Sequence, residues 1–279
     1  MTIPKAVTDH DWRALNRANW DERVAIHRAL PDYDVRRIWD GTAQLNAVEE
    51  AELGPVAGLR VLHLQCHFGY DSLILASRGA EVTGLDFSAP AIKAAQESAT
   101  ALGLKTRFVL SDVYAAREAI PEPASFDLVY ATWGTLCWLP DIAEWARIVA
   151  YFLRPGGRLY FADAHPAAYV FDDAAPGPAG KPGWSAPYFE TAPIVVDDPC
   201  DYADPDARLE NRRTVQWLHP LSAIIGNLLA AGLRLDWLHE HPRIAWKMFA
   251  PLVQGADGCW TWPDRPWFPL AVSLLMTKT

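Results

Sequence analysis

The chain has 279 residues, half of them apolar, with 34 Asp and Glu against 25 Lys and Arg and a net charge of -9. That length holds one large domain or a domain with an elaborated cap, and the acidic balance argues against a nucleic-acid partner, which needs a basic surface to displace counterions. Cysteines at 66, 137, 200 and 259 without paired spacing, a charged Trp-bearing amino terminus and no apolar run long enough to span a bilayer predict a soluble, cytoplasmic protein with reduced thiols.

Residues 9–53 read as helical, with short turns around Pro31 and Gly41. From Leu59 the pattern alternates. "LRVLHLQ" is a strand and "YDSLILASRG" a helix ended by Gly79; "AEVTGLDFS" is the second strand. "APAIKAAQESATALG" follows as a helix with Ser88 as N-cap, Pro90 in its first turn and Gly103 as terminator. "KTRFVLSDV" and "SFDLVYATW" are strands three and four, "LPDIAEWARIVAYFLRPGG" a helix closed by Pro-Gly-Gly, and "RLYFADAHP" the fifth strand. Strands alternating with crossover helices predict an α/β fold with a Rossmann-like, doubly wound sheet, parallel over most of its width.

Residues 166–210 are rich in Pro, Gly and Asp and form no single regular element. "ENRRTVQWLH" then reads as a strand, "PLSAIIGNLLAAG" as a helix, and "LRLDWLHEHP" and "PLAVSLLMTK" as two final strands, the last antiparallel. The expected division is a helical cap over 1–55, a core over 56–165, an inserted lid over 166–216 and a completion of the sheet over 217–279.

The turn "HLQCHFG" after the first strand poses the functional question. A dinucleotide fold needs small residues there, so that the main chain can approach a pyrophosphate. Gln65 and His67 stand where glycines belong, which speaks against NAD or FAD and less against a cofactor without phosphates. Asp86, 21 residues after Gln65, lies where a carboxylate would grip ribose hydroxyls. A metal site of His63, Cys66 and His67 is disfavoured, because 63 and 67 share a strand face and 66 does not. Plain core is the remaining reading.

With "HLQCHFG", "GLDFS", "VLSDV", "ATWGTLCWL" and "LRPGGRLYF" in this order, the chain resembles the class I methyltransferases that use S-adenosylmethionine (SAM). The likeness runs from about Leu59 to Pro166, and more loosely to Thr279. It is similar in particular to a bacterial branch reading "LHLQCHFGxD" and then "GxDFSxxAI". The family's usual first motif is D-x-G-C-G-x-G; here His63, Gln65 and His67 replace the acid and two glycines. The resemblance implies that Gln65, His67 and Gly69 line the methionine end and that Asp86 holds the ribose. It further implies that Asp112 receives the adenine amino group, Val113 gives a backbone contact and Phe87 stacks near the base. Thr132, Trp133 and Gly134 would face the methyl group.

Methyl transfer from a sulfonium needs mainly approach geometry, and a base only when the acceptor arrives protonated. The candidate bases and catalytic residues are His165 just beyond the fifth strand, and His27 and Tyr33 on the pre-domain segment; His241 is a lesser one. Trp20, Val24 and His27 share one helical face. Candidate acceptor contacts are Trp20, Trp133, Tyr169, Trp184, Tyr188 and Trp246, with Phe171 and Phe189 as further aromatic material. Five Asp between 197 and 206 suit either a cationic amine or a solvated surface. The expectation is an enzyme that methylates nitrogen or oxygen of a small molecule, an amine or an aromatic, releasing S-adenosylhomocysteine (SAH). It needs no metal, nucleic acid or membrane, and works as a monomer or homodimer. The alternative is a SAM-binding protein without methyl transfer, a scaffold or a catalyst of cyclisation or rearrangement.

Overall fold

The computed structural model describes residues 9–175, 177–178, 181–204 and 206–279. Residues 1–8 of the charged amino terminus, and positions 176, 179, 180 and 205 of the Pro-rich insertion, lie outside the described residues.

Seven strands make the central sheet: β1 (Arg60–Leu64), β2 (Glu81–Asp86), β3 (Arg107–Leu110), β4 (Phe126–Thr132), β5 (Leu153–Ala164), β6 (Leu233–His241) and β7 (Ala271–Lys278). Their order is β6-β7-β5-β4-β1-β2-β3. β1 to β5 pair in parallel, while β7 runs antiparallel to both β5 and β6. The helices are α1 (Asp9–Arg28), α2 (Arg36–Trp39), α3 (Ala47–Glu52), α4 (Tyr70–Ser77), α5 (Ala89–Leu102), α6 (Ala116–Ala119), α7 (Ile142–Phe152) and α8 (Leu221–Ala230).

Each face of the sheet buries an apolar layer, as two-sided winding requires. One layer joins Leu73 and Ile74 of α4, Ala91 and Ala95 of α5 and Ile38 of α2; the other joins Trp145 and Val149 of α7 to Ile224 and Leu228 of α8. Local signals place the helix ends. Ser88 Oγ accepts from Ala91 N at 3.3 Å, and Gly103 closes α5 at φ 67°. The helix expected to run to Pro-Gly-Gly stops earlier, at Phe152, and Leu153 already pairs with Phe126. The cause is Pro155, whose ring disfavours helical geometry in the residue before it.

Two regions depart from the regular pattern. The insertion after β5 forms a ribbon of Phe171–Asp172 with Gly183–Trp184, and then a strand Ile194–Asp197. The strand read in "ENRRTVQWLH" is Arg213–Gln216, and it pairs with Ile194–Asp197 rather than with the main sheet. Between β6 and β7, a stretch holding Trp246, Trp260, Trp262 and Trp267 folds into its own small sheet of Arg243–Ile244, Trp260–Thr261 and Val253–Gln254. Its core holds Ile244, Phe249, Leu252, Trp262 and Leu270. Short strands interrupted by Pro and Gly carry too little periodicity to show in a single sequence.

Candidate active site

The turn after β1 reaches by backbone conformation what glycine reaches freely. Gln65 and His67 sit at φ 58° and 51°, and Gly69 at 73°. Left-handed backbone costs a non-glycine residue about 1–2 kcal/mol, so tertiary contacts must hold it. Asp86, at the end of β2, accepts from His67 N at 2.8 Å through one oxygen and from Ser88 N at 2.9 Å through the other. Burial pushes its carboxyl up to about 6, against the backbone amides that favour the charge. At Gly69 no side chain fits, since a Cβ would lie 2.5 Å from the Phe108 ring. His63, in place of the family's usual acid, sets its Nδ1 2.8 Å from Ser72 Oγ and ties β1 to α4; burial pushes its pKa down to about 3.

A second loop faces the first across the end of β4. Trp133 and Gly134 are left-handed, at φ 54° and 80°. Asp163, near the end of β5, accepts from the amides of Gly134 at 2.6 Å, Thr135 at 2.9 Å, Leu136 at 3.4 Å and Ala164 at 2.7 Å. Gln65 Nε2 donates to Thr135 O at 2.9 Å and joins the two loops. Trp133 Nε1 donates to Glu49 at 2.7 Å, and Tyr130 bonds the same carboxyl. Burial first, then the nearby Asp71, pushes Glu49 well above the usual carboxylate range.

α1 lies over the carboxyl ends of β1, β2 and β3. Arg13 Nε meets Asp112 at 3.0 Å, while the other Asp112 oxygen accepts from Tyr114 N at 2.8 Å. The Arg17 guanidinium stands 5.8 Å from the Phe87 ring centroid, and Ser88 Oγ donates to Asp21 at 2.5 Å. The Trp20 ring meets His67 at 5.2 Å and Trp138 at 5.4 Å, and His27 meets His67 at 5.3 Å. The same helix grips the insertion. Asn16 exchanges two bonds with the Val215 backbone, both at 2.8 Å, and Asn19 donates to Asn211 O at 2.7 Å. Arg23 and His27 both reach Asp201.

The expected residues thus divide. Gln65, His67, Gly69, Asp86 and Phe87 come together under α1, with Trp20, His27 and Asp112 on or beside it. Val113 is buried in the turn after β3, and Thr132 at the end of β4. Tyr33 stacks on His27 at 6.1 Å, and Trp246 approaches Trp133 at 6.3 Å. Others lie elsewhere. His165 Nδ1 accepts from Ala167 N at 3.1 Å, and its Nε2 stands 3.1 Å from Glu240, so both nitrogens face neighbours in its own turn and on β6. Tyr169 lines a cavity of about 20 Å³ with Cys137, Asp163 and His219. Trp184 is 82% exposed, and Tyr188 OH accepts from Leu221 N at 3.0 Å at the start of α8. Glu49, Asp163 and Asp201 escaped the sequence reading, because each acts on partners far along the chain.

Among the described residues no three His, Cys, Asp or Glu side chains gather as a metal would require, and no helix is long and apolar enough to cross a membrane. Residues 61–157 match the family model of the methyltransferase domain. Over that stretch the chain is similar to methyltransferase domains. It is 29% identical over 144 residues to the ubiquinone biosynthesis O-methyltransferase of Ralstonia nicotianae, covering 48% of this chain and 59% of that one. It is 31% identical over 154 residues to the enzyme of the same name from Pseudomonas fluorescens, covering 54% and 61%. The chain therefore spans about three fifths of the length of these curated relatives. A SAM-dependent methyltransferase from Mesorhizobium loti shares the fold, with a TM-score of 0.56 and 21% identity over 83% of this chain and 96% of that one. The matched stretch fits the cofactor by its unmet polar atoms. Gln65 Oε1, His67 Nε2 and Trp138 Nε1 are buried without a partner around the first turn, and such groups call for a ligand or water.

Proposed function

We propose that the protein transfers a methyl group from SAM to oxygen or nitrogen of a small-molecule acceptor. The observation that carries this reading is the left-handed Gln65–Gly69 turn, held by Asp86 and edged by unmet polar atoms, inside the stretch similar to methyltransferase domains. SAM supplies a methyl group already activated on a sulfonium. The chain supplies the rest. Gln65, His67 and Gly69 hold the methionine end, Asp86 the ribose, and Asp112, Val113 and Phe87 the adenine. Thr132 and Trp133 border the methyl group. Residues 1–55 and 166–216 act as cap and lid over 56–165, and exclude water from the reacting atoms. The acceptor is a small molecule, as the name of the ubiquinone relatives suggests for theirs.

Calorimetric titration with SAH and with NADH tests the reading. Micromolar binding of SAH alone supports it, whereas binding of neither defeats it. The second reading is SAM binding without transfer. Release of label from methyl-tritiated SAM into small phenols or amines separates the two.

A further inference from the structure

His27 and Asp201 are buried groups beside the first turn to which the cofactor reading gives no task. His27 Nε2 lies 3.0 and 3.1 Å from the two Asp201 oxygens, and both side chains are 0% exposed. Burial opposes the charge on Asp201. The hydrogen bond from His27, the Ala203 amide and Arg23 nevertheless bring its pKa down to about 2. Arg23 Nη1 sits 2.7 Å away. A carboxylate can only accept, so Nε2 carries the hydrogen between the two groups, and Nδ1 is the nitrogen turned away from Asp201. That Nδ1 is buried and has no hydrogen-bond partner. An unmet buried polar atom costs about 1–3 kcal/mol, which a histidine placed only for packing would avoid.

The walls around this nitrogen are aromatic. Tyr33 lies parallel at 6.1 Å, and Tyr202 and His67 are edge-on at 5.1 and 5.3 Å. Tyr202 keeps 47% of its surface exposed, so the cluster opens to solvent on that side. The charges nearby disfavour a cationic acceptor. The Arg23 guanidinium is 5.5 Å from both the Trp20 and Tyr202 ring centroids, occupying the faces an ammonium would use, and Asp201 is already paired. A flat, neutral molecule that becomes anionic as it reacts suits both the rings and the guanidinium.

We propose that His27, oriented by Asp201, takes the proton from an aromatic hydroxyl of the acceptor, a catechol or a related phenol. The inference rests on the methyl-transfer reading above. The O–H bond breaks as an N–H bond forms at Nδ1. The oxygen electron pair bonds the methyl carbon, and the C–S pair returns to sulfur as a neutral thioether. The imidazolium, held against Asp201, then gives its proton to water. Asp201 is a positioning residue, and Arg23 fixes it.

The test compares catechol with 4-nitrocatechol, whose first hydroxyl is already largely ionised at neutral pH. His27→Gln should lower turnover of catechol about 100-fold or more, the usual contribution of a general base, and turnover of 4-nitrocatechol less than about tenfold. SAH affinity should stay within about threefold, since no cofactor contact is assigned to His27. Nitrogen-15 NMR of the unliganded protein should show His27 as the Nε2–H tautomer, and Asp201→Asn should shift it toward Nδ1–H. Equal losses on both catechols, or an Nδ1–H tautomer in the wild type, would overturn the base. A wild type that binds SAH but methylates neither catechol would overturn the acceptor class. Absence of SAH binding would instead defeat the methyl-transfer reading on which the inference stands.

Discussion

The two loops that frame the crevice use one device for different ends. Each leaves a parallel strand through left-handed, non-glycine backbone, Gln65 and His67 after β1 and Trp133 after β4. Each is pinned by an aspartate at the end of a neighbouring strand, Asp86 on β2 and Asp163 on β5. The difference is in what the carboxylates have left to give. Asp163 accepts four backbone amides and the Thr135 hydroxyl, which fills its acceptor positions. Asp86 takes one short bond on each oxygen, from His67 and Ser88, with the Phe87 amide as a further donor, and is less fully occupied than Asp163. A saturated carboxylate builds structure, and a less occupied one has room to bind.

That contrast is easiest to break at Asp163. Asp163→Ala strands three loop amides, and should destabilise the protein by about 3 kcal/mol or more in urea unfolding, since each unmet buried donor costs about 1–3 kcal/mol. A loss under about 1 kcal/mol would show that water or other groups replace the carboxylate. Asp86→Ala should weaken SAH more than tenfold by calorimetry, about 1.4 kcal/mol. Unchanged affinity would leave Asp86 as a purely structural twin of Asp163.

Glu49 sharpens the comparison, because it supports Trp133 of the second loop and has no counterpart at the first. Its folded pKa is raised above the unfolded value near 4.5, so the unfolded chain loses this proton first. Stability is therefore full below pH 4.5 and falls as the pH rises toward about 8, where the folded carboxyl ionises. Between pH 5 and 7 the loss should reach roughly 2 to 3 kcal/mol. Glu49→Gln should flatten it, because an amide has no proton to lose. A slope unchanged in the variant would move the effect to Asp71, which burial raises in the same direction. The smallest effect belongs outside the crevice. Trp184→Ala should alter stability by no more than about 0.5 kcal/mol and leave SAH affinity unchanged; a marked loss of acceptor turnover would bring the exposed ribbon into the site.

Much of the sheet was legible in advance because its signals are local. Ser88, Pro90 and Gly103 bound α5 through bonds within one turn, and alternating strands and helices permit few parallel topologies. Asp86 was legible for the same reason, as an acid at the end of a strand at a fixed distance from a turn. Asp201 was not. In the sequence it is one of five aspartates in an acidic run, read as either solvent-facing or attractive to a cation. Its burial depends on His27, 174 positions earlier. The base candidate beyond the fifth strand, His165, stands at the expected strand end, yet its nitrogens face Ala167 and Glu240.

By itself, then, the sequence determined the order of elements, the class of fold and the position of the turn after β1, because propensities, caps and strand periodicity act over a few residues. The tertiary structure decided which carboxylates are buried, which are saturated, and how α1 and the insertion close over the turn. Those outcomes depend on desolvation and on partners brought together from distant parts of the chain: Arg13 with Asp112, Glu49 with Trp133, and His27 with Asp201.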